Sequence, residues 1–491
     1  MRKKLLLINP ANELRQGFTN DDSTRFMPIG LGIVAALTPN HWEVELIDES
    51  YERFSFRFAD LVAFTGFTAN APRAYKIASV YREKGIHTVM GGIHASLATD
   101  EVAEYVDTVF TGEAEGAWQG LIADFEAGKI KKLYDGGNVD IHSVPHVRRD
   151  IYTYPYVYDL VSTSRGCPLG CEFCSVTQLC GKTYRERKVE DILDELEETT
   201  RPLIFFVDDN FIQNTKRSHE RAISLFRGMV ERKLNKFWVC QATVNFAENE
   251  EVLHWARKSG CMMVFVGVEA ENEEALKDVR KNLNLKRGVQ SYEQTFRKAH
   301  KHGIGILAFM IFGMESDKKE DLFARRDYIL RSSLDAYQCA IMTPLPGTVL
   351  FERVKARNQI VLNNYPDDWQ QYDCHAATID TASMDHADID RSMYEIWLSL
   401  YNKKTIRKKM FRTLWNTRSF RTAYWAYAAN HNYGRMFLER FIQTDKECLN
   451  SRLEWVGKKR SMYLKLTDAL LWVFYQTAWK KILKRVSGNK A

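Results

Sequence analysis

The chain has 491 residues, 45% hydrophobic and 12% aromatic, which is enough apolar surface for cores in about three domains. It has no run of roughly 18 apolar residues, which by that measure excludes a helical membrane span. Nine Cys without a secretory leader exclude a disulfide-stapled secreted scaffold and predict a reducing, cytoplasmic setting. The formal net charge of +6 is unevenly spread: Tyr401–Ala491 holds 21 Lys and Arg against 5 Asp and Glu, so the preceding residues are net acidic. An anionic partner is therefore expected for one end only.

The opening MRKKLLLINP is basic and then apolar, over too short a run for a signal sequence, and reads as a first strand. Lys4–Asn9, Glu43–Asp48, Leu61–Thr65, Thr88–Gly91 and Thr108–Thr111 read as strands. Ile29–Leu37, Pro72–Lys84, Asp100–Tyr105 and Ala117–Glu126 read as helices. This alternation predicts a Rossmann-like open parallel α/β sheet over residues 1–140, which would bind ligands at the carboxyl ends of its strands. Those ends carry Thr65-Gly66, Gly91-Gly92-Ile93-His94 and Gly112-Glu113-Ala114-Glu115-Gly116, and glycines there let a backbone approach a large ligand. No G-x-G-x-x-G follows the first strand, which argues against a dinucleotide. Residues 141–157 read as a linker, with Pro145 and Pro155 and no clear periodicity.

Over residues 158–348 strands and helices alternate again. Tyr158–Ser164, Leu203–Val207, Phe237–Cys240, Met262–Val268, Ile304–Phe312 and Ala336–Met342 are strands separated by amphipathic helices, which predicts a partial (β/α)6 barrel. The first of these strands runs into Cys167-Pro168-Leu169-Gly170-Cys171-Glu172-Phe173-Cys174. Three soft thiolates within eight residues suit an iron–sulfur cluster or zinc. A closed zinc site wants four protein ligands, and the nearest further thiol, Cys180, lies beyond the tight loop. A [4Fe–4S] cluster on three Cys leaves one iron open for chemistry.

This loop resembles the cluster motif of the radical S-adenosylmethionine (radical SAM) enzymes, and the resemblance covers residues 158–348. It implies that Cys167, Cys171 and Cys174 hold a catalytic [4Fe–4S] cluster whose open iron chelates S-adenosylmethionine, cleaved by one electron to a radical that abstracts hydrogen. Phe173 stands where the family places an aromatic near the adenine. The resemblance further implies contacts to the cofactor from Asp208 or Asp209 (amino group), Glu269 (ribose), Gln241 at the third strand's end, and Gly313 beside the adenine. The ordinary alternative for each polar residue is a solvated cap on the next helix. That alternative is weaker for Asp208-Asp209, because two acids directly after a buried strand are costly without a partner.

A domain like residues 1–140 just ahead of such a core resembles the cobalamin-binding domain of the class that includes hopanoid methylases and the anaerobic Mg-protoporphyrin ester cyclase. It implies cobalamin near Thr65, Gly66, Gly91, Gly92, His94, Gly112 and Glu113. No D-x-H-x-x-G segment is present, so His94 is read as a rim residue or a direct contact, not as a cobalt ligand.

Residues 349–491 read as a helical, basic, aromatic-rich domain with helices at Leu350–Asn358, Asp390–Arg407 and Tyr463–Val486. Basic residues beside Trp415, Phe420, Trp425 and Tyr433 fit peripheral contact with the inner face of a membrane, or a lid over the barrel mouth, better than nucleic acid. The combined resemblance implies an enzyme that, with an external electron donor, transfers a methyl group to an unactivated carbon of a hydrophobic or lipid-like small molecule. Radical cyclisation or C–C coupling without methyl transfer is the alternative, and a cobalamin or redox sensor is the non-catalytic one.

Overall fold

The computed structural model describes residues 2–14 and 26–444, with side chains through Phe437. Two parallel sheets organise it. In the first, β1 (Lys3–Asn9), β2 (Trp42–Asp48), β3 (Leu61–Thr65), β4 (His87–Gly91), β5 (Thr108–Thr111) and β6 (Leu133–Asp135) lie in the order β2-β1-β3-β4-β5-β6. Leu5, Leu6, Leu7 and Ile8 are wholly buried, as parallel strands covered on both faces by helices must be. β1 pairs with β2 on one side and β3 on the other, so the chain changes direction across the sheet there. β6 is short and exposed at both ends, and lacks the apolar run that reveals the other five.

The second sheet comprises β7 (Asp159–Val161), β10 (Leu203–Phe206), β11 (Phe237–Ala242), β12 (Cys261–Glu269), β13 (Gly305–Phe312) and β14 (Ala336–Ile341). Its order, β14-β13-β12-β11-β10-β7, follows the sequence, with a helix in nearly every connection. This is the expected partial barrel. The strand expected over Tyr158–Ser164 is divided, because Thr163 turns its amide onto the Asp208 carboxylate at 2.9 Å. The chain then forms β8 (Ser164–Arg165), antiparallel to β9 (Arg185–Glu186), and this ribbon carries the Cys loop.

The C-terminal region serves both ends of the barrel. On the carboxyl-end side, Ile389 of helix His386–Leu400 packs against Gly313 after β13, and Trp369 Nε1 donates to Glu101 of the first domain at 2.8 Å. Helices Lys403–Thr417 and Phe420–Thr444 occupy the opposite end. Thr422 donates to Gly303 O ahead of β13, and Thr413 to Asp335 ahead of β14. These two helices therefore do not form the lid offered as an alternative for the C-terminal region: they pack against the amino ends of β13 and β14. The single helix expected over Asp390–Arg407 is broken at Asn402, whose extended backbone and side-chain bond from Thr405 N cap a new helix. The helix expected at Tyr463–Val486 lies outside the described residues.

Candidate active site between the two sheets

The Cys loop is shaped by two left-handed glycines, Gly166 (φ +89°) and Gly170 (φ +66°). A Cβ on Gly166 would stand 2.3 Å from Thr183 O, so only glycine fits between the ribbon's two strands. Glu172 fastens the loop from below: its amide donates to Val279 O, its carbonyl accepts from Leu350 N, and its buried carboxylate pairs with Arg280 at 2.6 Å and Arg353 at 3.3 Å. Cys167, Cys171 and Cys174 are left partly exposed and free. Burial raises all three thiols, Cys174 to about 11, so they need a metal's positive charge to become thiolates.

Lys281 carries a second element that the sequence reading missed. Its buried ammonium donates to Glu269 Oε1 at 2.6 Å and lies 5.9 Å from the centre of the Phe173 ring. Burial opposes its charge, but Glu269, Cys171 and Cys174 together raise its pKa. Glu269 is held at φ +64° where β12 bulges against β13. The pair fits because residue 267 is glycine; a Cβ there would fall 2.5 Å from Glu269 and 2.8 Å from Lys281. A lysine in a loop between two short helices has no local pattern to betray this role.

The two adjacent acids point apart. Asp208 is fully buried, and its Oδ1 accepts from Thr163 N, Thr163 Oγ1 and Ser164 Oγ. Its Oδ2 finds no hydrogen-bond partner among the described residues. Asp209 opens into the site, with its carboxyl raised to about 6 by burial and by the neighbouring Asp208 charge. Gln241 is partly exposed near the end of β11. Gly313, at φ +78°, donates its amide to Asp317, which Arg325 grips with two bonds.

On the first sheet, Thr65, Gly66, Gly91 and Gly92 meet at the carboxyl ends of β3 and β4. Gly92 has φ +94°, and a Cβ on it would reach within 3.0 Å of Thr65 Oγ1. Phe67 stands two-thirds exposed at the same edge. Gly112 (φ +71°) packs against Gly137. His94 is buried and turned into its own domain, where its ring meets Tyr75 Oη, Thr68 Oγ1 and Glu101. Glu113 is buried and pairs with Arg185 at both carboxylate oxygens, one at 2.5 Å, and with Arg165 at 3.2 Å. Burial would raise its carboxyl, but the two arginines hold it below the usual range. Arg165 also pairs with Glu115 at 2.6 Å.

Beside these groups, between residues of the first domain and of the barrel, lies a cavity of about 340 Å³. Ile29, Ile33 and Ile93 line it from the first sheet's side, and Ser164, Cys180 and Asp209 from the barrel side. Among the described residues no three His, Cys, Asp or Glu converge as ligands of one ion do. A cluster with separate iron corners does not require such convergence.

Comparison with known proteins agrees with this geometry. The radical SAM superfamily profile matches residues 161–326, and the B12 binding domain profile matches residues 23–122. The chain carries a radical SAM domain and, ahead of it, a cobalamin-binding domain. It is 29% identical to the bacteriochlorophyllide d C-12(1)-methyltransferase of Chlorobaculum tepidum over 83% of this chain and 90% of that one. It is 27% identical to the hopanoid C-2 methylase of Rhodopseudomonas palustris over 70% of this chain and 67% of that one. Among solved structures, the cobalamin-dependent radical SAM enzyme OxsB with aqua-cobalamin bound superposes with a TM-score of 0.65 at 16% identity, over 90% of this chain and 75% of that one.

The radical SAM enzyme's cofactors are a [4Fe–4S] cluster, S-adenosylmethionine and cobalamin. The residues present fit them. Three free thiols lie on one glycine-shaped loop, a carboxyl on Asp209 opens beside them, and the glycine edge at Gly91-Gly92 leaves room for a large ring.

Proposed function

We propose that this enzyme methylates an unactivated carbon of a large hydrophobic small molecule. One observation supports the reading above the rest: a single cavity is lined by Ile93, which follows Gly91-Gly92, and by Arg165, Val176 and Asp209, which flank the Cys loop, so two cofactors held at these places would lie close to one substrate carbon. When bound, the cluster and S-adenosylmethionine supply hydrogen abstraction, and cobalamin supplies the methyl group. Cys167, Cys171 and Cys174 would hold the cluster. Asp209 would bind the ammonium of S-adenosylmethionine through a charge-assisted hydrogen bond. Glu269, set by Lys281, and the turn at Gly313 would line the rest of that cofactor, and Gln241 would add a donor from β11. Thr65, Gly66, Gly91, Gly92 and Gly112 would border cobalamin, with Phe67 as an exposed face at the same edge. Asp208, His94 and Glu113 would act by position, each holding a neighbouring segment in place.

A hydrophobic substrate is supported by the relatives, whose names give a bacteriochlorophyllide and a hopanoid as substrates. An external donor supplies the electrons. The balance is one substrate C–H bond, two S-adenosylmethionines and two electrons, giving one C–CH3 bond, S-adenosylhomocysteine, methionine and 5′-deoxyadenosine, which carries the substrate hydrogen. We also propose that the C-terminal region meets a membrane surface, which suits an apolar substrate; its basic and aromatic composition supports this.

The test is anaerobic turnover of the reconstituted enzyme with cobalamin, a reductant and candidate tetrapyrroles or polycyclic lipids, followed by mass spectrometry. Equal amounts of methylated product, 5′-deoxyadenosine and S-adenosylhomocysteine are expected. 5′-Deoxyadenosine with a cyclised or coupled product and no S-adenosylhomocysteine would replace methyl transfer with radical ring closure or coupling. A Cys167→Ala, Cys171→Ala, Cys174→Ala triple variant that still cleaved S-adenosylmethionine would overturn the site itself.

A further inference from the structure

Helix Lys403–Thr417 divides into two faces. Ile406, Lys409, Met410, Thr413 and Thr417 are buried against the barrel. The opposite stripe, Lys404, Lys408, Phe411 and Trp415, recurs at helical spacing and is exposed. Trp415 is 83% exposed and Phe411 is 63% exposed, with Leu414 and Phe420 open beside them. Rings of that size in open solvent, grouped on one helix face, mark an interaction surface rather than chance exposure.

Along the chain the charges beside them have one sign. From Ile396 to Phe437 the sequence holds nine Lys and Arg and no Asp or Glu. Lys404 and Lys408 lie at the amino-terminal half of the exposed stripe, and Arg418 and Arg421 flank its far end. The first turn of this helix contains no acid and two lysines, Lys403 and Lys404. Positive charge at a helix amino terminus opposes the helix dipole and lowers helix stability. Arg418 also keeps a side chain at a left-handed C-cap, φ +51°, where glycine is unstrained.

We infer that this face of helix Lys403–Thr417 seats on a bilayer bearing anionic headgroups, with Phe411, Leu414 and Trp415 entering the headgroup–acyl boundary and Lys404, Lys408, Arg418 and Arg421 meeting phosphates. This extends the proposed membrane contact to named residues and an orientation. A helix face with an aliphatic Leu beside its aromatics suits a deformable bilayer; nucleic acid would engage the rings by stacking and leave Leu414 without a partner. A second copy of the chain would need an acidic face to match this one. The helix packs at the amino end of β14, so seating it leaves the cavity beside Val207 and Asp209, past the carboxyl end of β10, unobstructed.

The test uses the full chain without cofactors and sedimentation with two vesicle types, pure phosphatidylcholine and phosphatidylcholine with about a third phosphatidylglycerol. Wild type is expected to partition into the anionic vesicles at least about tenfold more strongly, with the preference falling as salt rises. Phe411→Ser/Trp415→Ser should lower partition about tenfold or more, and Lys404→Glu/Lys408→Glu should abolish the anionic preference, both with unchanged melting temperature. Three results would each overturn the inference: no partition of wild type, equal partition of both variants, or a wild-type dimer that Phe411→Ser/Trp415→Ser converts to monomer without changing vesicle binding. Preferential binding of single-stranded RNA that displaces the vesicles would also overturn it. Vesicle binding is read without turnover, so failure of the methylation proposal would leave this result intact, and the reverse also holds.

Discussion

Arg165, two residues ahead of Cys167, is ion-paired at 2.6 Å with Glu115, which lies just beyond the carboxyl end of β5. Glu113 joins the same network through Arg165 and Arg185, and both carboxylates are at most 7% exposed. The β8–β9 ribbon carrying the Cys loop is thus bolted to the cobalamin-domain edge by charges taken out of water. Removing Arg165 leaves Glu115 buried without this partner, at a cost of about 3–5 kcal/mol, while Glu113 keeps Arg185.

Arg165→Met should therefore lower the melting temperature and leave iron loading intact, because no Cys is altered. Since the ribbon then loses its registration against the first sheet, the ratio of methylated product to 5′-deoxyadenosine should fall well below that of wild type. Iron content, melting temperature and product ratio on the same preparation check this. An unchanged ratio in a destabilised variant would reduce the network to a purely structural fastening.

Lys281→Met isolates Glu269 inside the barrel, a loss of about 3–5 kcal/mol by the same reasoning. Glu269→Gln/Lys281→Met removes both charges and should recover at least half of that loss, as chemical denaturation would report. If the double variant were no more stable than the single, the ion pair would not be the source of the loss.

The contrast between these residues and the Cys loop explains what the sequence disclosed. The three Cys, the alternation of apolar strands with amphipathic helices, and the strand-end glycines are local patterns, and each was readable from spacing alone. Adjacent Asp208 and Asp209 show where spacing stops. Both follow the end of β10, where the chain turns, and no periodicity there says which acid faces inward and which the cavity. Lys281 and the Arg165–Glu115 pair join segments far apart in the chain, and no local signal marks such contacts. Helix Lys403–Thr417 misled for a different reason: its composition reveals a greasy, basic face but not which end of the barrel its other face covers.

His300 donates through Nε2 to Asp335 at 2.8 Å under the same C-terminal helices. Burial works against its charge and is the largest influence, but Asp335 outweighs it, so the imidazole pKa is raised above the ordinary value near 6.5. A raised folded pKa gives stability that is complete below about pH 6.5 and lost as the pH rises through the folded value. Wild type should lose melting temperature between pH 6 and pH 8 more steeply than His300→Gln, which keeps a donor but cannot titrate. Parallel pH dependence in the two proteins would show that the ring is neutral throughout.

β7 and β14 are the free edges of the partial barrel, and helix Phe420–Thr444 bridges the seam between them. Trp425 Nε1 donates to Tyr158 Oη at 2.7 Å on the β7 side. On the β14 side Asn430, wholly buried, accepts from Tyr337 N at 3.3 Å and donates to Asp335 O at 2.8 Å, supplying the hydrogen bonds that a seventh strand would otherwise make. Asn430→Leu keeps the volume but strands one buried amide and one buried carbonyl, each costing about 1–3 kcal/mol. Asn430→Asp keeps the acceptor, loses the donor and places a second carboxylate beside Asp335. At neutral pH the Asp variant should therefore be the less stable of the two, and acidification should narrow the gap as the new carboxyl takes up a proton. Melting curves of both variants across pH 5 to 8 decide it: if Leu were the worse at every pH, the missing acceptor for Tyr337 N, and not charge, would dominate the seam.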